Sequence, residues 1–123
     1  MADEALVFVR RGRELLVLLR HPRDGGYWHP VSGAVEAGES DADAAARELR
    51  EETGLRAARL EPLGDFAYGA GVTSSCFVTR APAGWEPELN DEHTDYRWCS
   101  REEAERLLHW PEPRALLEAA CAS

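Results

Sequence analysis

The chain contains no lysine. All 14 of its basic residues are arginines, and 23 acids outnumber them for a formal net charge of −9. So acidic a surface argues against nucleic acid as the main partner, because a phosphate backbone would be repelled. A small phosphorylated substrate is still compatible, since a bound metal reverses the field locally. Cysteine is scarce: Cys76, Cys99 and Cys121 are odd in number, widely spaced and in no CxxC arrangement. That pattern argues against a disulfide framework or thiolate metal cluster and for free thiols in a reducing cytoplasm. No apolar stretch approaches the roughly 20 residues of a membrane-spanning helix, so no membrane partner is expected. MADEALVFVRR lacks the basic segment that opens a signal peptide, and none is expected. Repeats, linkers and low-complexity segments are missing too.

What is present is 123 residues, 44% hydrophobic and 30% charged, the composition of one globular domain over 1–123 with a real core. Residues 5–10 and 15–20 are short apolar runs flanking the turn signal RGRE, and predict a strand pair. HPRDGGYWHPVSG, 21–33, is punctuated by proline and glycine and reads as a loop carrying Tyr27 and Trp28. Trp28 reads first as a buried loop anchor and second as a ring near a nucleobase; His29 reads as a loop hydrogen-bonder. Ser40 is a good N-cap for a helix over about 41–53, with Ala42, Ala45, Ala46 and Leu49 on its buried side. Residues 55–69 and 72–80 predict two strands around a Gly69–Gly71 turn. Residues 84–93 form an acidic loop, 96–100 a strand, and SREE at 100–103 a capping box. Pro111 and Pro113 open a final helix. Together these elements make a mixed α/β domain.

The 33–55 stretch, GAVEAGESDADAAARELREETGL, carries the chemistry. On its helix Glu48, Glu51 and Glu52 stand at i, i+3 and i+4, so three carboxylates share a face. Glu51 and Glu52 also precede Gly54, a C′ residue, where the helix dipole disfavours anions. A divalent cation is the missing partner, and oxygen-only ligands suit Mg²⁺ or Mn²⁺. Arg47, at i to i+4 from Glu51, can hold that carboxylate's rotamer.

These residues resemble the Nudix box: Gly, five residues, Glu, seven residues, then Arg-Glu-apolar-x-Glu-Glu-x-Gly-apolar. Gly33, Glu39, Arg47, Glu48, Leu49, Glu51, Glu52, Gly54 and Leu55 match it without departure. The resemblance implies an α/β/α sandwich with a mixed sheet and Mg²⁺-dependent hydrolysis of a nucleoside diphosphate linked to another group. It implies metal ligation by Glu48, Glu51, Glu52 and the Gly33 carbonyl, and Arg47 as the brace. EHTDYRW resembles a pattern of the dihydroneopterin triphosphate (dATP) pyrophosphohydrolase subgroup, as does Trp28-His-Pro-Val-Ser-Gly-Ala-Val-Glu36, and points to Glu92 as a further acid, base or ligand.

The turn at 69–75 leaves little room for that subgroup's substrate-binding insertion. Arg20, Tyr27, Trp28 and the 86–93 loop are the expected substrate contacts. The first function implied is cleavage of a nucleoside triphosphate to monophosphate and pyrophosphate. The second is hydrolysis of a dinucleoside polyphosphate, nucleotide sugar or ADP-ribose. The third, a non-catalytic nucleotide-binding module, is disfavoured because such modules usually lose the box glutamates. The family's habit of homodimerisation allows a homodimer.

Overall fold

A computed structural model describes residues 1–56 and 59–122. Strands β1 (Glu4–Arg11) and β2 (Glu14–Arg20) form the expected pair, turning through Gly12 at φ 60°. Their centres are apolar throughout, as strands covered on both faces must be. They pair only beside the turn, Arg10 opposite Leu15 and Arg11 opposite Glu14, and then separate. The 28–34 segment fills the gap. Its first piece, β3 (Trp28–His29), pairs with β2, and its second, β4 (Val31–Ala34), runs antiparallel to β1 with Gly33 opposite Ala5. Pro30 divides the two, having no N–H to give a ladder. The stretch expected to be a loop is therefore loop only as far as Tyr27, with one 3₁₀ turn at Pro22–Asp24.

β6 (Thr73–Arg80) lies parallel to β1, β5 (Glu61–Ala67) antiparallel to β6, and β7 (His93–Cys99) antiparallel to β2. The result is a mixed sheet of seven strands among the described residues. The strand expected over 55–69 occupies only its later part, and Ala57 and Ala58 lie outside the described residues. The strand expected at 96 begins at His93, which brings that histidine into the sheet.

Strand period two sends alternate residues to opposite faces. Ala5, Val7 and Val9 pack with Ala44, Ala45 and Leu49 of α1 (Asp41–Thr53). Leu6 and Phe8 pack with Ala104 of α2 (Arg101–Leu107), Leu108, and Leu117 and Ala120 of α4 (Leu117–Ala122). This is the expected α/β/α sandwich. α1 is capped as its sequence requires: Ser40 accepts from the Asp43 N–H at 3.0 Å, and Gly54 closes the helix at φ 82°. Its buried stripe differs from expectation, since Ala42 and Ala46 are exposed while Ala44, Ala45, Leu49 and Glu52 face inward. The single last helix expected is two pieces, α3 (Pro111–Arg114) and α4. Between them Ala115 and Leu116 donate to carbonyls three residues back, at 3.2 and 3.1 Å, and this 3₁₀ tightening interrupts the α ladder. No helix among the described residues is long and apolar enough to cross a membrane.

Candidate active site

Arg47 is the hub of the site. Its guanidinium, 17% exposed, grips Glu39 through two bonds of 2.8 and 3.0 Å and Glu48 at 2.7 Å. It also donates to the Ala34 carbonyl at 2.9 Å, and Glu51 sits farther off at 3.3 Å. Glu51, the partner expected from helix spacing, does reach Arg47, but Glu39 and Glu48 are its principal partners. Glu39 belongs to the loop before α1, and its Oε1 also takes the Glu36 N–H at 2.9 Å. These bonds hold the Glu39 carboxyl down to about 2. Because all five planar guanidinium donors are directional, Arg47 fixes the 34–39 loop against the helix as well as Glu48.

Gly33 of β4 lies directly beneath. A Cβ there would fall inside the Glu48 carboxylate, so the close approach needs glycine for space rather than for its backbone angle. Glu52, on the inner side of the helix, is 2% exposed. Its Oε1 lies 3.4 Å from the Ser32 N–H and 3.8 Å from Nε2 of the buried His93. Burial, then the hydrogen bond and charge of Glu48, with a smaller contribution from Glu92, raises the Glu52 carboxyl far above the usual range. His93 is driven down to about 4, chiefly by burial, and is neutral at physiological pH.

Two carboxyl groups are in contact here, one nearly inaccessible to water, and their proximity disfavours a charge on Glu52. A divalent cation would supply compensating positive charge, and the donor set of carboxylates plus the Gly33 carbonyl suits a hard ion. The side chains fit such an ion in kind but are not gathered around one point. Among the described residues no three His, Cys, Asp or Glu side chains converge closely enough to hold it. Glu48 is engaged by Arg47, and Glu51 is half exposed.

The acidic loop sorts itself by partners. Glu86 is tied down by Arg11, by the Tyr96 hydroxyl at 3.1 Å and by the Trp98 indole at 2.9 Å, which makes it a structural clamp. Asp91 faces Arg23 at 3.6 Å. Glu88 is placed at the end of α1, its N–H donating to the Thr53 carbonyl at 2.9 Å. Glu92 is exposed, and its charge is felt at Glu52.

Arg20 and Tyr27 open onto a cavity of about 460 Å³ with Tyr68 and Trp110. Ser32 also lines it, so the backbone that contacts Glu52 is the floor between cavity and glutamates. Trp28 does not line this cavity. It packs into the core under α2 and α4, bridges to Leu108 and carries Arg97 over its ring at 5.2 Å, the anchor role first read for it. His29, expected to be a loop hydrogen-bonder, is a buried strand residue whose Nδ1 has no hydrogen-bond partner among the described residues. Trp85 packs edge-on against Trp98 on the α1 side. Glu4 and Glu112 belong to no local pattern and were not expected here. Ser32 and His93 lie within stretches the sequence singles out, but only the pairing of β4 and β7 into the sheet brings them to Glu52.

A family model described as the NUDIX domain matches residues 2–120. The chain is 33% identical over 111 residues to the mouse bis(5'-nucleosyl)-tetraphosphatase [asymmetrical], covering 82% of this chain and 75% of that one. It is 43% identical over 101 residues, 72% of its length, to a stretch of an octanoyltransferase from Myxococcus xanthus, but spans only 27% of that longer protein. Among solved structures, a C. elegans Ap4A hydrolase binary complex superimposes with a TM-score of 0.80 at 25% identity, covering 97% of this chain and 96% of that one. The E. coli dihydroneopterin triphosphate pyrophosphohydrolase does so at 0.78 and 26%, covering 97% and 94%.

Proposed function

Because the chain belongs to the NUDIX family of hydrolases, we propose that it cleaves a phosphoanhydride bond of a small nucleoside polyphosphate, with a nucleoside triphosphate giving monophosphate and pyrophosphate. The observation that carries this reading is the contact of Glu48 with the buried Glu52, braced by Arg47. Family hydrolases use divalent ions. Mg²⁺ or Mn²⁺ would be held by Glu48, Glu51, Glu52 and the Gly33 carbonyl, where it would neutralise phosphate oxygens and support the leaving group. The chain's own residues do the rest. Arg47 fixes the Glu48 rotamer and the 34–39 loop. The Ser32 N–H orients Glu52. Glu92, exposed and near enough for its charge to act on Glu52, takes the proton of the attacking water.

A second reading has an observation of its own. The mouse relative and the C. elegans neighbour are named for dinucleoside tetraphosphates, so a substrate with a nucleoside at each end is the alternative. Incubating the chain with Mg²⁺ and a panel of nucleotides separates the two by product. Pyrophosphate plus monophosphate supports the first, a mononucleotide from each half supports the second, and turnover of neither class overturns both. Glu52→Gln should lower kcat by on the order of 10³-fold with the nucleotide still bound.

A further inference from the structure

The cavity beside the glutamates holds three buried polar atoms that nothing among the described residues satisfies: Glu4 Oε1, His29 Nδ1 and Glu112 Oε1. Buried polar atoms are almost always paired, so three orphans in one cavity mark the place of an absent partner. His29 is the strongest of them, only 4% exposed. The two carboxyls are already half used. Burial raises the Glu4 carboxyl, and the neighbouring Tyr68 and Ser74 hydroxyls oppose that by favouring its charged form. The Gly69 N–H donates to Glu112 Oε2 at 3.2 Å, which straps the 69–71 turn to α3. What is left over is acceptor capacity, so the fitting partner brings N–H donors.

The other walls are aromatic and stiff. Tyr27 stacks on His109 with centroids 4.9 Å apart, and Trp110 meets Tyr27 and Tyr68 edge-on at 6.1 and 5.7 Å. Such rings favour a flat heterocycle. The two acidic side chains oppose a phosphate beside them, whereas Glu52 lies beyond the Ser32 backbone that floors the cavity.

We propose that this cavity selects a purine-type base by its exocyclic amino group, with the free oxygens of Glu4 and Glu112 accepting its N–H groups. The inference rests on the nucleotide reading above and adds the determinant within that substrate class: an amino-bearing base over the same base without the amino group. A site with polar atoms committed to a donor discriminates sharply against the analogue that lacks it.

The test uses nucleosides, without phosphate and without metal, so that it is independent of hydrolysis. Guanosine, inosine, adenosine and purine riboside are titrated into the full chain, with tryptophan fluorescence and calorimetry as readouts. Guanosine should bind at least about tenfold tighter than inosine, or adenosine than purine riboside. Glu4→Ala and Glu112→Ala should each bring that ratio toward one. Circular dichroism checks their fold, and Glu112, in the short α3, serves if the strand variant fails to fold. Equal binding of amino and des-amino nucleosides overturns the proposal, as does no nucleoside binding or a ratio unchanged in both variants. If hydrolysis is absent while the amino preference is present, the reaction falls and the pocket stands; the opposite pattern condemns only the pocket.

Discussion

A Cβ on Gly33 would occupy the space of the Glu48 carboxylate, which is the far end of a flexible side chain. The collision is therefore relieved by rotating Glu48 away from Arg47, with little movement of backbone. Gly33→Ala should accordingly leave the circular dichroism spectrum intact and shift Tm by no more than a few degrees, while activity falls at least about tenfold because a bound side chain has lost its brace. His29 offers a residue-scale test on stability alone. Burial, with smaller contributions from Arg20, His93 and His109, holds its folded value down to about 3, against an unfolded value near 6.5. Between those limits the unfolded chain binds a proton that the folded chain refuses, so stability is full above pH 6.5 and is lost as pH falls toward 3. The loss attributable to His29 approaches about 4 kcal/mol at the acid end. His29→Phe should flatten the dependence of Tm on pH over that window, and an unchanged slope would assign acid sensitivity elsewhere.

At the scale of elements, what the sequence disclosed was what neighbouring residues decide. Ser40 and Gly54 bound α1 as their chemistry requires, and both halves of the Ser100–Glu103 box are formed, with bonds of 3.2 and 3.0 Å. Ser100→Ala should cost about 1 kcal/mol, read as a lower urea midpoint at constant m-value. The box residues were legible because their spacing is fixed within a single helix and its preceding loop. Contacts across elements were not. Nothing in the spacing shows that Arg47 prefers Glu39 to Glu51, since that depends on how the 34–39 loop folds over the helix. Nor does helical periodicity reveal that Glu52 turns inward, because a carboxylate on the buried stripe violates the pattern being sought. The acidic loop was equally opaque. Its four acids look alike in sequence, and only the donors from Tyr96, Trp98 and Arg11 single out Glu86 as a clamp. Glu86→Ala should lower Tm and make the 84–92 loop more sensitive to protease.

At the scale of the whole molecule, the chain combines a net charge of −9 with a buried carboxyl pair at its centre, and two electrostatic effects of added Mg²⁺ must be told apart. Screening of the acidic surface raises stability with any salt and saturates as the Debye length shrinks to about 8 Å at physiological ionic strength. Occupation of a site follows mass action, adding about 2.7 kcal/mol at a hundredfold excess over Kd, or about 10 °C in a domain of this size. A titration at constant ionic strength, with KCl replaced stepwise by MgCl₂, removes the first effect and leaves the second. Tm should climb without a plateau set by salt, and EDTA should return it to its starting value. Glu52→Gln supplies the decisive comparison. An amide keeps the bond from the Ser32 N–H and can donate to Glu48, so the buried like-charge problem disappears and the metal-free variant should melt higher than the parent at neutral pH. The same substitution removes a ligand, so its Tm should no longer respond to Mg²⁺. A parent that responds equally to Mg²⁺ and K⁺ would show that the carboxyl pair is no cation site, whereas a higher-melting, Mg²⁺-indifferent variant would show that stability was given up at Glu52 to keep a charge there for the ion.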